Sequence, residues 1–155
     1  MQIREDFTYL DGELYRTFKT SNRCDLSKPC GWIGGNGYKY VSYQSKIWKL
    51  HRLIYLFHFS ELPLRIDHID GNPLNNRVEN LRPCTQSQNL GNIPKHCDNK
   101  TGYKGVSWHA KGKKYQSHFR ETYLGLFKTK EEAAKAYNQA AIHYFGEFAR
   151  LNEVN

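Results

Sequence analysis

The chain has 155 residues, 39% of them hydrophobic, and a formal net charge of +8 from 23 Lys and Arg against 15 Asp and Glu. No apolar run approaches the roughly 20 residues that a membrane-spanning helix needs, and the N-terminus lacks the long apolar core of a secretory signal. These features predict a cytoplasmic protein with no membrane partner.

The positive charge is concentrated toward the C-terminus. Residues 1–98 contain 13 Lys and Arg against 10 Asp and Glu, whereas residues 99–155 contain 10 against 5. Because Lys and Arg that neutralise phosphates release counterions, the favoured partner is a nucleic acid. A merely solvated basic face is the alternative, but the aromatic residues interleaved with the charges between Lys100 and Arg120 favour nucleic acid.

The first half of the chain shows patterns of both strands and a helix. Alternation in residues 37–43 and 46–50 predicts an antiparallel pair after the turn-forming residues 34–37. Apolar residues at helical spacing then predict a short helix over residues 50–59, which Pro63 ends.

A polar stretch divides the chain into two predicted domains. Residues 91–101 contain Gly and Pro and have no apolar period, which is typical of a linker. We therefore expect one small domain at residues 1–92, a linker at 93–100 and a second domain at 101–155.

The four cysteines do not have the spacing of a structural zinc site. They are Cys24, Cys30, Cys84 and Cys97. Their spacing lacks the paired C-x2-C knuckles that hold a tetrahedral ion, so the pattern argues against structural Zn²⁺. Reduced thiols that pack in the fold are the better prediction for a cytoplasmic chain.

The segment from residue 65 to residue 89 carries the residues best suited to chemistry. Phosphodiester hydrolysis needs a base that activates water and a cation that neutralises charge on the phosphate. The adjacent Asp67 and His68 supply a metal ligand and a base, and Asn89 offers an amide oxygen to a hard cation. A calcium loop is rejected, because Gly71 at its sixth position would place Ile66 where an acidic ligand is required.

Taken singly, these residues are also typical of ordinary turns and of a structural histidine. Together they form a longer pattern: D-H-I-D-G-N at residues 67–72, N-N-R-V-E-N-L-R at residues 75–82, and Asn89. This pattern resembles the HNH endonuclease family over roughly residues 12–92.

The resemblance implies a site of two strands and a helix around one divalent metal ion, Mg²⁺ or Mn²⁺. Asp67 and Asn89 would be the metal ligands, and His68 would be the general base on the attacking water. Asn80 would complete the catalytic set by bracing the loop and orienting His68 through a hydrogen bond.

A second element of the resemblance lies upstream, at His51-Arg52-Leu53. It implies that Arg52 contacts a DNA phosphate and that His51 is structural. The family also implies double-stranded DNA as the substrate and a bacterial or phage-infected host cell as the setting. One site per chain is compatible with nicking by a monomer or with double-strand cutting by a homodimer.

The second half of the chain predicts three strands and a helix. The strands are expected at residues 102–108, 114–120 and 122–127. Thr129 followed by Glu132 forms a capping box at the start of the helix, which Gly146 can end. Small alanines on one helix face would let the helix lie close to the sheet and leave the basic face of the sheet open.

Three sequence segments in this half resemble the plant Apetala-two, or ethylene-response-factor, DNA-binding domain: residues 103–108, 123–141 and 146–152. The resemblance implies a sheet that enters the major groove of DNA. By position, the DNA-contacting residues would be Lys104, Ser107, Trp108, His109, Lys113, Lys114, Tyr115, His118 and Arg120. For Trp108 and Tyr115, packing on the helix is nearly as favoured as base contact.

The predicted fold class is thus α+β, with an N-terminal ββα-metal nuclease domain followed by a small three-stranded antiparallel sheet packed on one helix. The predicted function is metal-dependent cleavage of DNA at sites selected by the second domain. The alternative is a DNA-binding regulator in which an inert nuclease fold serves as scaffold. EDTA discriminates between them, because it abolishes metal-dependent cleavage and leaves simple binding almost untouched.

Overall fold

The structure, a computed structural model, describes residues 2–22, 24–96 and 98–154. The chain divides into two compact units, Met1–Thr85 and Gln86–Asn155. This division lies ahead of the linker predicted at residues 93–100, and the predicted domain boundaries remain a proposal.

The first unit combines short helices with antiparallel strand pairs. Its elements are α1 (Ile3–Asp6), β1 (Phe7–Leu10), β2 (Glu13–Arg16), β3 (Trp32–Ile33), β4 (Lys39–Tyr43), β5 (Lys46–Lys49), α2 (Leu50–Phe59), β6 (Ile66–His68) and β7 (Leu81–Pro83). Strands β1 and β2 pair, β3, β4 and β5 form a three-stranded sheet, and β6 pairs with β7. A single turn of 3-10 helix, Val78–Asn80, precedes β7.

The β4–β5 hairpin and α2 confirm the patterns seen in the sequence. Gln44 and Ser45 join the two strands with φ values of 49° and 59°, as in the tight turns whose twist matches a hairpin. Helix α2 spans the predicted residues 50–59, and it is Ser60 rather than Pro63 that ends it, because Ser60 adopts a left-handed conformation and its N–H donates to the carbonyl of Leu56.

Helix α2 supplies the centre of the first core. Leu50, Leu53 and Ile54 are completely buried, and each such side chain contributes about 1.5–3 kcal/mol when it leaves water. Tyr55 of α2 joins them, and the strands and α1 contribute the other buried core side chains: Ile3, Phe7, Leu14, Val41, Tyr43 and Leu81. This packing holds the N-terminus of α2 rigidly, which matters for the site described below.

The second unit is a sheet with helices. Its elements are α3 (Gln86–Gly91), β8 (Val106–His109), β9 (Lys114–Phe119), β10 (Thr122–Phe127) and α4 (Lys130–Phe145). The strands form an antiparallel sheet in the order β10-β9-β8. The predicted capping box is present, since the Thr129 side chain accepts from Glu132 N–H and the Glu132 side chain accepts from the Thr129 N–H.

Small residues let α4 lie close to this sheet. Ala133, Ala134 and Ala141 are buried against it together with Tyr137. Gly105 passes directly beneath the Tyr137 ring, and a Cβ atom at this position would lie 2.1 Å from a ring carbon. The predicted close approach of helix and sheet is therefore confirmed.

The cysteines that the structure describes are free thiols: Cys24, Cys30 and Cys84. Burial raises the pKa of the Cys30 and Cys84 thiols, so both stay protonated at neutral pH. Cys97 lies outside the described residues. In the part of the chain that the structure covers, no helix is long and apolar enough to cross a bilayer.

Candidate active site

Asp67 and His68 end strand β6 and are both buried, at 7% and 5% exposure. The β6–β7 ladder places Asp67 opposite Arg82 and His68 opposite Leu81. Both polar side chains are thus held on a short hairpin rather than on an open loop. Such burial is tolerated only where the polar groups have partners.

Arg82 is the cationic partner of Asp67. Its Nε and a terminal nitrogen donate to Asp67 Oδ2 at 3.2 Å and 3.0 Å. Both side chains are largely buried, so the pair is screened little by solvent. The guanidinium therefore balances the negative charge of Asp67 inside the site.

Asn76 is the side chain that holds His68. Its Oδ1 lies 3.1 Å from His68 Nε2, and its Nδ2 donates to the Leu74 carbonyl at 3.2 Å. A carbonyl oxygen only accepts, so the bond to Leu74 fixes the amide with Oδ1 facing the histidine. His68 Nε2 then carries the proton and Nδ1 carries the lone pair that a general base needs.

Burial is the main cause that lowers the pKa of His68 below the ordinary value of 6.5, and it outweighs the opposing effect of the hydrogen bond that His68 donates to Asn76. The imidazole is consequently neutral at physiological pH. A neutral ring with its lone pair on Nδ1 is in the protonation state required to take a proton from water.

Asn80 braces the loop between β6 and β7, as predicted, but it does not bond to His68. Its Nδ2 donates to Asp70 Oδ1 and to the Asn75 carbonyl, and its Oδ1 accepts from the Asp70 N–H. The orienting hydrogen bond assigned to Asn80 from the resemblance is made by Asn76 instead. The reason is geometric, because the tight turn at Gly71 folds Asp70 back toward Asn80.

His51, at the start of α2, packs edge-on against His68 with ring centroids 4.8 Å apart. Its Nδ1 is buried and has no hydrogen-bond partner among the described residues. Burial, and then the positive charges that His68, Lys49 and Arg52 carry when protonated, lower the pKa of His51 to about 3. A structural role in its neutral form follows.

This lowered pKa makes the fold sensitive to acid. The unfolded chain binds a proton at His51 below pH 6.5 while the folded chain resists it down to about pH 3. Protonation of His51 therefore does not reduce the free energy of unfolding above pH 6.5. Below pH 6.5 the free energy of unfolding falls as the pH drops through that window, by at most about 1.4 kcal/mol per pH unit. Between pH 7 and pH 5, we expect the free energy of unfolding measured with urea to decrease by about 2 kcal/mol less in His51→Leu than in wild type. An equal decline in wild type and His51→Leu would contradict the assignment, and exposed His143→Leu serves as the control.

Arg52 has hydrogen-bond partners within the first unit. Its guanidinium donates to the carbonyls of Pro63 and Leu64, both at 3.1 Å. These bonds attach α2 to the segment that leads into β6. The cation that approaches the histidines is Lys49, whose Nζ lies 3.8 Å from the centre of the Tyr38 ring.

The donor set fits a hard divalent cation in part. Asp67 offers a buried carboxylate beside His68, and oxygen ligands are those that Mg²⁺ prefers. Within the described residues, no three His, Cys, Asp or Glu side chains form a group that could hold a metal ion. A site of one carboxylate, one amide oxygen and water does not require such a group.

Asn89, the second predicted ligand, lies on α3 in the second unit. The helix is fixed there by close packing, since a Cβ atom on Gly91 would lie 2.7 Å from the Phe145 ring. The Gly91 carbonyl also accepts from the Arg150 N–H at 3.1 Å. The ligand role of Asn89 stays a prediction.

The predicted DNA-contacting residues fall into three groups in the second unit. One group lies on the sheet face opposite α4, where strand alternation and pairing also place residues that sequence reasoning missed. This outer face contains Ser107, His109, Lys114, Gln116, His118, Tyr123 and Leu126. Gln116 donates to the Ser107 hydroxyl at 2.9 Å, and the His118 and Tyr123 rings lie 5.2 Å apart.

The second group lies on the α4 side or within the unit. Tyr115 packs on the core beneath α4, and Trp108 contacts Tyr115 edge-on at 4.9 Å. Lys104 donates to the carbonyls of Gly91 and Ile93, and burial lowers its pKa. Tyr115 thus has a packing role and Lys104 forms hydrogen bonds within the unit, while Trp108 remains half exposed at the sheet edge.

The third group occupies the turns at the two ends of β9. Lys113 and Arg120 are exposed and adopt positive φ values of 48° and 56°. The Arg120 guanidinium lies 4.7 Å above the Tyr144 ring. The contact with Tyr144 of α4 keeps Arg120 on the helix side of the sheet, whereas Lys113 lies in the turn next to Lys114 of the outer face.

The buried acid–histidine pair on a short hairpin defines a hydrolase-like site, and comparisons with known proteins identify its class. The model of the HNH endonuclease family matches residues 49–90. An uncharacterized HNH endonuclease of Acanthamoeba polyphaga mimivirus is 35% identical over 133 residues, which cover 84% of this chain and 70% of that protein. The chain belongs to the HNH endonuclease family and is a nuclease, a class that generally uses a divalent metal and acts on DNA.

A second relative matches a shorter part of the chain. Protein 3.8 of Escherichia phage T7 is 49% identical over 43 residues, which cover 28% of this chain and 36% of that protein. No solved structure matches the chain.

The residues that sequence reasoning missed in the site are Asn76, Lys49 and Tyr38. Asn76 lies in the same motif as Asn75 and Asn80, and nothing in its spacing separates it from them. Lys49 is one of two lysines on the predicted strand at residues 46–50. Only the folded positions of these side chains distinguish them.

Proposed function

We propose that the protein is a metal-dependent DNA endonuclease that hydrolyses phosphodiester bonds at sites selected by its second unit. The observation that supports this most strongly is the buried His68, whose Nε2 lies 3.1 Å from Asn76 Oδ1 and which is adjacent to the buried Asp67. In the proposed reaction His68 removes a proton from water as that water attacks phosphorus. The bond to the 3′ oxygen of the preceding sugar breaks, which leaves 5′-phosphate and 3′-hydroxyl ends.

Asp67 and Asn89 are the residues that would hold the divalent ion, Mg²⁺ or Mn²⁺. The bound ion would neutralise charge on the phosphate and on the leaving oxygen. Arg82 keeps the Asp67 carboxylate in place and Asn80 maintains the loop.

The second unit is proposed to read DNA in the manner of an Apetala-two type domain, through its outer sheet face. The side chains of that face include hydrogen-bonding and cationic groups and no carboxylate, which suits a groove lined by phosphates. Ser107, His109, Lys114 and His118 remain in the proposed contact set. Gln116 joins them because an amide side chain can pair with adenine in the major groove.

The proposed function is tested by incubating the purified chain with supercoiled plasmid in Mg²⁺, in Mn²⁺ or in EDTA. We expect nicked or linear product with metal only, and ends that DNA ligase can rejoin. Nicked product alone indicates one cut per binding event, whereas linear product without a nicked precursor indicates a homodimer. Ion-independent cleavage would contradict the metal assignment.

A DNA-binding regulator is the second candidate, and the Asp67–Arg82 ion pair favours it. If the guanidinium stayed on the carboxylate, a metal ion would have to compete with it. This function predicts a gel shift that EDTA does not change and no cleavage of DNA under any ion.

Asn76→Ala tests the orientation of His68. Without the amide, the proton is no longer confined to Nε2, so we expect kcat to fall by about 10- to 100-fold while KM changes little. The ¹⁵N spectrum of His68 should show a loss of the single tautomer. Asn75→Ala is the control, since that amide bonds to Asp70 and not to His68. An unchanged tautomer with reduced kcat would leave Asn76 only a structural role.

Lys114→Ala tests the outer face. If Lys114 contacts one phosphate, its removal weakens DNA binding on all sequences and lowers the slope of log K against log salt by about 1. Lys135→Ala removes the same charge from an exposed position on α4 and should leave both quantities unchanged. Equal effects of the two variants would point to net charge alone.

A further inference from the structure

Lys49 lies at the junction of a strand and a helix, on an aromatic ring that also contacts the histidines of the site. It is the last residue of β5 and directly precedes α2. Its ammonium lies over the Tyr38 ring, and the centre of that ring is 6.1 Å from the His68 ring and 5.6 Å from the His51 ring. Lys49 and His68 thus rest against the same aromatic side chain.

The charge of Lys49 has no counterion in the described part of the chain. Lys39, on the neighbouring strand, bonds to Glu13 at 2.6 Å, whereas no carboxylate forms an ion pair with Lys49. The side chain is only partly exposed, so water screens its charge less than on an open surface. Contact of the ammonium with the Tyr38 ring compensates for part of the lost hydration.

The position of Lys49 at the start of a helix adds to this imbalance. It is the N-cap residue of α2, where the helix dipole is positive and disfavours a cation. No side chain caps this end of the helix. The Lys49 ammonium and the N-terminus of α2 are therefore two sources of positive potential beside the proposed base. An anion bound there would neutralise both.

The electrostatic influence of Lys49 reaches the histidines. Its positive charge is among the causes that lower the pKa of both His51 and His68, after burial. An anion close enough to contact Lys49 would consequently be close to His68. In a nuclease, the anion that must come to the base is the phosphate of the substrate.

We propose that Lys49 binds a non-bridging oxygen of the phosphodiester that is cleaved, or of its immediate neighbour, and that Tyr38 holds the ammonium ready for it. This inference rests on the proposed function. It assigns to Lys49 the phosphate contact that the sequence suggested for Arg52, whose guanidinium is bonded to backbone carbonyls.

Two lysines on one strand allow a matched comparison. Lys49→Met removes the charge and keeps the length of the side chain, Lys49→Arg restores the charge, and Lys46→Met removes the same charge from an exposed position on β5. Thermal melting of each variant reports whether it folds. Should Lys49→Met fail to melt cooperatively, Lys49→Gln replaces it.

The substrate is a duplex oligonucleotide that contains a cleavage site mapped on the plasmid, with single methylphosphonates placed at and around the cut. We expect Lys49→Met to lower kcat/KM by about tenfold or more, as for a lost hydrogen bond between charged groups. Lys49→Arg should recover most of the rate, and Lys46→Met should equal wild type. A methylphosphonate at the phosphate that Lys49 contacts should slow cleavage by wild type. It should cause no further slowing in Lys49→Met, because that variant already lacks the contact.

Two outcomes overturn the assignment of Lys49 alone: cleavage by Lys49→Met at the wild-type rate, or identical methylphosphonate interference in both proteins at every position. Absence of cleavage by wild type and by Lys46→Met with every ion would overturn the proposed function together with this inference. A fall in melting temperature without any change in kcat/KM would assign Lys49 a purely structural role.

Discussion

His68→Ala is expected to lower the rate of DNA cleavage by about 100- to 10,000-fold while DNA binding persists. The variant lacks the nitrogen that takes the proton from water, and no other described side chain offers a neutral imidazole in the same place on β6. Single-turnover cleavage of supercoiled plasmid in Mg²⁺ measures the rate, and a gel shift in EDTA measures the binding.

The stability of this variant must be measured as well, because removing the ring leaves the Asn76 amide oxygen without its partner. A buried acceptor that loses its partner costs about 1–3 kcal/mol. His143→Ala, an exposed histidine on α4, is the control and should cleave like wild type. Full cleavage by His68→Ala at a temperature where it is folded would exclude His68 as the base.

Asp67→Asn is expected to reduce metal-dependent cleavage by at least about 100-fold, because the amide supplies no negative charge to a divalent ion. It should also destabilise the fold by about 3 kcal/mol, since Arg82 stays largely buried without the Asp67 carboxylate. Cleavage is measured across a Mg²⁺ titration, and stability by urea unfolding without metal.

The double variant Asp67→Asn/Arg82→Met separates these two effects. Replacing the guanidinium by an apolar side chain of similar length removes the buried charge, so stability should recover toward wild type while cleavage stays lost. Recovery of cleavage together with stability would show that Asp67 acts only through the ion pair. That result would withdraw Asp67 from the proposed metal ligands.

Local patterns in the sequence predicted those elements whose stability comes from near neighbours. Helix α2 and the capping box of α4 depend on contacts three or four residues apart, and the β4–β5 hairpin depends on alternation and a two-residue turn. The bounds of α2 were predicted correctly, but the left-handed conformation of Ser60, which ends the helix ahead of Pro63, has no clear signal in the sequence.

The site was predictable only as far as its motif extends along the chain. Asp67 and His68 are adjacent in sequence, and both were singled out on their chemistry. The hydrogen-bond partner of His68 was not singled out, because nothing in the sequence distinguishes Asn76 from Asn75 and Asn80. The path of the loop after Gly71 turns one of them toward the imidazole, and that path depends on many weak hydrogen bonds at once.

The same limit applies to the second unit. Alternation places Ser107 and His109 on one face of β8 and Trp108 on the other, but it does not say which face meets α4. Packing of Val106 and Tyr115 against Ala133 and Ala134 decides that question. The structure also turns the Lys104 ammonium toward the interior of the unit, where it donates hydrogen bonds to the backbone carbonyls of Gly91 and Ile93.

The sequence by itself determined the family, the Asp67–His68 pair, the basic character of the second half and the helices and hairpins that local interactions specify. The tertiary structure alone decided that Asn76 holds His68, that Arg82 neutralises Asp67 and that Lys49 approaches the site. These contacts join residues far apart in sequence or hidden among equivalent neighbours. Their free energies depend on distance and burial, which exist only once the chain has folded.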